Sequence, residues 1–157
     1  MRIIHQQKQK TYFILVAIYI IIAGFLLFTV LAPQNFFGGG ISQGNKIVLL
    51  VVAVIDLILF WSFSELNIKV TEENLIFGFG VFKKKISFKQ INDCLVEEFN
   101  KNSYLGYGIR FGRDKSIGYI ARAGRGVRLK MQPRDYFISC DSPEQLVQVI
   151  KQQLFKK

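Results

Sequence analysis

Two stretches dictate what this chain can become: residues 11–32 and 47–63 hold one formal charge between them, Asp56, whereas the other 118 positions hold the remaining 31. The uncharged run from Thr11 to Ala32 is 22 residues long. As a helix it rises about 33 Å and so crosses a hydrocarbon core of about 30 Å with slight tilt. A cleaved signal sequence would have an apolar core of only about 7–15 residues followed by a small-residue cleavage site, whereas this run continues to Pro33. The second segment, residues 46–64, is slightly shorter and places Trp61 near one end, where an amphipathic ring suits a membrane interface. Residues 33–45 between them are uncharged and glycine-rich, as expected of an external loop.

Orientation follows from the flanks. Arg2, Lys8 and Lys10 precede the first span, Lys69 and Lys83 to Lys85 follow the second, and the linking loop offers only Lys46. The positive-inside rule then puts both ends in the cytoplasm, with residues 1–10 as a basic N-terminal flank. Within the second span Asp56 lies near the bilayer centre, where an aspartate costs roughly 2.5–3.5 kcal/mol. It either relays ions or protons or serves as a neutral, hydrogen-bonded carboxyl with Tyr19, Thr29 or a second copy of the chain as partner.

From residue 65 the pattern changes to period two: Leu66, Ile68 and Val70 alternate with Asn67, Lys69 and Thr71, a half-buried strand. Further strands are expected at 75–79, 82–87, 94–99, 108–111, 117–121, 127–131 and 136–140, separated by glycine- and asparagine-rich turns. The last segment is helical. Ser142, Pro143 and Gln145 make an N-terminal signature of the capping-box type, and Leu146, Val149, Ile150 and Leu154 form an apolar stripe. The fold expected is therefore α+β: a transmembrane helical hairpin over 11–64, then a cytoplasmic β-sandwich or barrel of about seven strands over 65–157, capped by the C-terminal helix.

At specific residues the chain resembles the small bacterial membrane proteins that carry a pleckstrin-homology-like (PH-like) domain behind two transmembrane helices. The resemblance rests on Thr71-Glu72-Glu73-Asn74-Leu75, Ile86-Ser87-Phe88-Lys89-Gln90-Ile91, Gly106-Tyr107-Gly108-Ile109-Arg110, Tyr119, Gly126-Val127 and Asp141-Ser142-Pro143-Glu144-Gln145-Leu146. It implies a fold and a multi-pass location in the bacterial inner membrane, with both termini cytoplasmic. Eukaryotic members of that family bind phosphoinositides through a basic loop between the first two strands. Here that loop, Thr71 to Asn74, carries two glutamates, which argues against the same route.

Catalysis needs a nucleophile with a base, paired carboxylates, or metal ligands at fixed spacing. His5 is the only histidine; Cys94 and Cys140 fall in predicted strands as buried thiols; Glu97 and Glu98 are adjacent and point to opposite faces of a strand. None of the G-x-G pairs leads into a helix as a phosphate loop would. Neither enzyme activity nor metal nor cofactor is expected. Cations are more informative: nine between Lys101 and Arg134 face one anion, Asp114, and the net charge of the chain is +10. Lys83, Lys84, Lys85, Arg110, Arg113, Lys115, Arg122, Arg125, Arg128 and Lys130 are the residues expected to form a basic surface. The bilayer is the integral partner, and anionic lipid headgroups or a membrane protein are the partners expected at that surface. Nucleic acid is disfavoured because no recognition helix or stacking platform is visible. The function expected is a non-catalytic scaffold or binding module, with a homo-oligomer allowed. The alternative is a subunit of a small oligomeric channel or transporter using Asp56.

Overall fold

The alternation at Leu66, Ile68 and Val70 produces the strand it predicts, and all three side chains are fully buried. That strand has an unexpected neighbour. Residues 3–10, read from sequence as a basic flank, form a strand antiparallel to it, with Lys10 opposite Glu65, Lys8 opposite Asn67 and Gln6 opposite Lys69. The computed structural model describes residues 2–11, 13–31 and 43–156; the expected loop 33–45 lies largely outside them. The chain divides into two compact units, Met1–Thr11 with Phe63–Lys157, and Tyr12–Ser62.

The helical unit contains α1 (Phe13–Leu31) and α2 (Gln43–Phe63), whose last residue, Phe63, already belongs to the other unit. Both helices expose large apolar side chains, among them Ile20, Ile21, Leu31, Ile47, Ile58 and Trp61. One described helix, Asn45–Phe63, is long and apolar enough to cross a membrane, and it supports a membrane-associated location. The expected hairpin of two equivalent spans, 11–32 and 46–64, is corrected here. Among the described residues no second helix qualifies as a membrane span; the apolar stretch described in the first helix is Val16–Leu31. Neither Tyr19 nor Thr29, the partners expected within the chain, bonds Asp56 Oδ2. Thr29 Oγ1 donates to Leu26 O of its own helix at 2.7 Å, the Tyr19 ring lies 5.8 Å from that of Phe60, and Asp56 Oδ2 is buried with no hydrogen-bond partner among the described residues.

The second unit is α+β. Its strands are β1 (Ile3–Lys10), β2 (Glu65–Thr71), β3 (Asn74–Phe79), β4 (Phe82–Ser87), β5 (Ile91–Glu98), β6 (Gly108–Phe111), β7 (Ile117–Ile120), β8 (Arg125–Met131) and β9 (Tyr136–Ser139), followed by α3 (Pro143–Phe155). They form an antiparallel four-stranded sheet, ordered β1-β2-β3-β4, and a mixed five-stranded sheet, ordered β5-β8-β9-β7-β6, in which β7 and β9 run parallel. Neither sheet closes into a barrel, and the strand count exceeds the expected seven partly because β1 comes from before the helices. A single 3-10 turn, Phe88–Gln90, joins the sheets, and the reciprocal capping box sits there: Lys89 N donates to Ser87 Oγ, and Ser87 N donates to Gln90 Oε1.

The apolar alternation of β2 and β3 fills one core with Leu66, Ile68, Val70, Leu75, Phe77 and Phe79, joined by Val127, Leu129 and Ile138 from the second sheet. The Phe77 ring meets Tyr119 edge-on at 4.8 Å. Helix α3 adds Leu146 and Ile150, both fully buried, as its stripe predicts, and packs on β5 and β8. Each such burial stabilises by about 1.5–3 kcal/mol. The cap expected at Ser142 is not made by its side chain; its carbonyl instead accepts from Leu146 N. The strand β1 is held from within by polar rather than apolar groups: Ser139 Oγ donates to Gln9 Oε1 at 2.6 Å, and Gln9 Nε2 donates to Asp141 Oδ1 at 3.1 Å.

Candidate anion-binding face

Strand pleating decides which lysines gather. Directly opposed residues of antiparallel strands share a face, so the core-facing set Gln9, Leu66, Phe79 and Phe82 leaves the alternate residues on the outside. Across that outer face, Lys10 pairs with Glu65; Lys8, Asn67, Gly78 and Lys83 make the next row; Gln6, Lys69, Ile76 and Lys85 make the one after. Successive rows are two residues, about 6.7 Å, apart. Five lysines thus meet one carboxylate, Glu65, which Lys8 Nζ engages at 3.1 Å. Lys8, Lys10, Lys83 and Lys85 are exposed and Lys69 is half-buried. Among the described residues Lys10, Lys69, Lys83 and Lys85 make no ion pair. Lys84 lies on the core side of β4 opposite Phe77 yet remains exposed because β4 is an edge; a charge so placed opposes further strand pairing.

The first row of this face is where the chain enters and leaves the helical segment. Thr11 N donates to Ser64 O at 3.0 Å and Thr11 Oγ1 to Phe63 O at 2.5 Å, closing the two strand ends on each other. Close approach also explains Gly78, which lies between Asn67 and Lys83 in the second row. A Cβ there would stand 2.2 Å from Phe82 O, and its φ of 150° suits glycine.

Four of the cations expected on a basic surface, Arg122, Arg125, Arg128 and Lys130, are paired with acids. Arg122 is paired with Asp141, and Arg125 with Glu144. Lys130 Nζ lies 2.9 Å from Asp135. Arg128, expected to point outward to an anion, is 7% exposed and lies on the second face of the five-stranded sheet, beneath the segment bearing Tyr104. Its guanidinium grips Glu97 with two hydrogen bonds, Nη2 to Oε1 at 2.8 Å and Nε to Oε2, and donates from Nη1 to Asp114 Oδ2 at 3.0 Å. Hydrogen bonding to the Glu97 carboxylate, which accepts from it, holds Arg128 above the usual guanidinium range against the opposing pull of burial. Burial pushes Asp114 up, but the Ser116 hydroxyl and amide together with Arg128 outweigh it and hold this carboxyl below the usual range. Tyr104 Oη, 2.5 Å from Ser116 Oγ, completes the network, and burial raises its pKa. This is an internal strut joining β5, β8 and the turn after β6.

Three further expected cations are exposed and make no ion pair among the described residues. Arg110 Nε donates to Tyr107 O at 2.7 Å, while Arg113 and Lys115 occupy the turn between β6 and β7, with Lys115 at φ 65°. Sequence reasoning missed Lys8, Lys10 and Lys69 as members of a face. Lys69 was legible as outward-pointing, but the inward partners of Lys8 and Lys10 are Gln7 and Gln9, so no apolar alternation marked residues 3–10 as a strand.

Both cysteines are free and buried, as the strand assignment implies, and no group of three or more His, Cys, Asp or Glu among the described residues could hold a metal ion. Comparison with protein-family models and with curated proteins finds no match. The resemblance to bacterial proteins with a PH-like domain behind two transmembrane helices is thereby overturned. The segments that carried it, such as 71–75, 106–110 and 141–146, are turn, strand-entry and helix-start signals that any domain of short strands closed by a helix requires.

Proposed function

We infer that the chain is a non-catalytic, membrane-tethered module that holds its α+β unit against an anionic lipid surface through the lysine face of the four-stranded sheet. The observation that supports this reading is the register placing Lys8, Lys10, Lys69, Lys83 and Lys85 together beside the point where the apolar helix Asn45–Phe63 ends. Near an anionic leaflet each cation contributes about 1 kcal/mol, within a screening length of about 8 Å at physiological salt. Lys10, Lys8 and Lys83, in the rows nearest the exit, should contribute most, and Lys85 and Lys69 less. The Thr11–Ser64 pairing also holds both flanks of the helical segment together, on one side with the lysine face. Excess lysine on that side favours the cytoplasmic one.

The test is lysine footprinting of the full chain in nanodiscs of neutral or phosphatidylglycerol-containing lipid. Acylation of Lys83 and Lys10 should slow in the anionic discs and recover at high salt, with Lys115 unaffected. Equal rates in both lipids would end this reading. A second reading, a channel or transporter subunit, is favoured only by Asp56 Oδ2, buried in α2 without a hydrogen-bond partner among the described residues. It requires proton or ion flux from reconstituted vesicles that Asp56→Asn abolishes; vesicles no leakier than protein-free ones would remove it.

A further inference from the structure

The β3–β4 hairpin presents apolar side chains where a loop tip ordinarily presents polar ones. Its loop is two residues, Gly80 and Val81, closed by the pair Phe79 and Phe82, with Gly80 at φ 43° in the first central position, as tight hairpins favour. Val81 is 74% exposed and Phe82 45% exposed, and Lys83, Lys84 and Lys85 follow at once. Phe63 packs on this tip: its ring stacks on that of Phe82 with centroids 5.4 Å apart and stands at the same distance from Phe79. Phe63 is also the last residue of the membrane-crossing candidate Asn45–Phe63. Whatever touches Phe63 is therefore within one side chain of the end of that helix.

We propose that the Val81–Phe82 tip inserts into the headgroup–acyl boundary of the bilayer beside Phe63, as an apolar wedge anchoring the lysine face to lipid. The inference rests on the membrane-tethered reading above and goes beyond it: the lysines supply attraction without depth, whereas Val81 and Phe82 supply depth and fix which edge of the unit meets the membrane. The arrangement, aromatic and aliphatic groups followed by cations, is the one interfacial segments use, with apolar groups below the headgroups and ammonium groups among them. Neither a ligand cavity nor a protein partner is needed to cover these side chains, since the bilayer already stands next to Phe63.

Three single-cysteine labels on the full chain test this: Val81→Cys at the tip, Lys115→Cys on the exposed turn after β6, and Ile55→Cys inside α2. Each carries an environment-sensitive fluorophore, in phosphatidylglycerol-containing vesicles with lipids spin-labelled just below the headgroup. The native thiols stay unlabelled, because Cys94 and Cys140 are buried and burial pushes them up to about 11 and about 12. The expected result is a blue shift and quenching at Val81, and neither at Lys115. A Val81 label that behaves like the Lys115 label while Ile55 reports lipid overturns the inference and leaves the tether standing. An Ile55 label that reports water overturns the tether and the inference with it.

Discussion

Replacing Arg128 by methionine keeps a long apolar stem while deleting a guanidinium that is 7% exposed. Lost with it are the paired hydrogen bonds to Glu97, the 3.0 Å bond to Asp114 and the 3.5 Å contact with Tyr104 Oη. Removing one partner of a buried ion pair costs about 3–5 kcal/mol, most of it from the charge left behind. Here the abandoned carboxylate side chains of Glu97 and Asp114 are 31% and 42% exposed. Water can reach both, which lowers the expected cost to about 2–3 kcal/mol. At about 1.36 kcal/mol per factor of ten, amide exchange across β8 should accelerate by about 30- to 160-fold. Hydrogen exchange of the full chain in nanodiscs reads this on peptides from β5 and β8. Adding Glu97→Gln to Arg128→Met should restore part of the protection, because the stranded charge is gone. The lipid-dependent protection of Lys83 should be unchanged in both variants. An Arg128→Met protein with native exchange but lost lysine protection would refute the assignment of Arg128 as a strut and return it to the binding surface.

Reversing charge on the lysine face should grade with row: Lys83→Glu should weaken the anionic-lipid protection of Lys10 more than Lys85→Glu does, and Lys115→Glu should leave it unchanged, all read by footprinting. Gly78→Ala places a Cβ 2.2 Å from Phe82 O and 2.6 Å from Lys83 Cα, at a φ that only glycine tolerates. Strain of about 1–3 kcal/mol or more should part β3 from β4, seen as fast exchange confined first to those strands. Asp114 is held below its ordinary range, so its contribution is fully present above the unfolded value of about 3.9 and is lost as pH falls through the lower folded value. Protection of the 112–116 turn relative to the intrinsic exchange rate at each pH should be steady from neutral pH to about pH 4 and fall below it, and Asp114→Asn should abolish that acid dependence.

Much of the second unit was legible because β2 and β3 obey an apolar alternation. Leu66, Ile68 and Val70, then Leu75, Phe77 and Phe79, are spaced by two and all fully buried, and the stripe of α3 at Leu146 and Ile150 buries as its spacing requires. Charge was harder to read. Arg128 alternates with Val127 and Leu129 and so does point away from the main core. That face of the sheet is not solvent, however, because the segment after β5 folds over it, with Tyr104, Phe137 and Ile120 forming a second small core. Alternation reports which side a residue takes and is silent on what covers that side. Asp114 was counted as the one anion of the stretch 101–134, but the acids that share Arg128 with it, Glu97 and Asp135, lie outside that stretch, so a local count of charge could not find them.

The lysine face raises the same difficulty in a sharper form, because its members are united only by long-range register. Lys8 and Lys83 stand in one row through Asn67 and Gly78, a path that runs from before the helices to the hairpin after them. Without β1 the face would lose Lys8 and Lys10, and β2 would become an open edge with Leu66, Ile68 and Val70 beside it. Gln9 and Gln7 secure that strand through Ser139, Asp141 and the Ser142 carbonyl, at the end of β9 and the approach to α3. The first residues of the chain are thus fastened to nearly its last element, while Thr11 and Ser64 close the exit to the helices. Deleting residues 2–10 should therefore do more than remove three cations from a flank. Exchange should become fast in β2, reach the start of α3 through the loss of Gln9, and cancel the lipid-dependent protection of Lys83. If β2 and α3 keep native exchange after the deletion, β1 is dispensable to the fold, and the lysine face is no more than three strands wide.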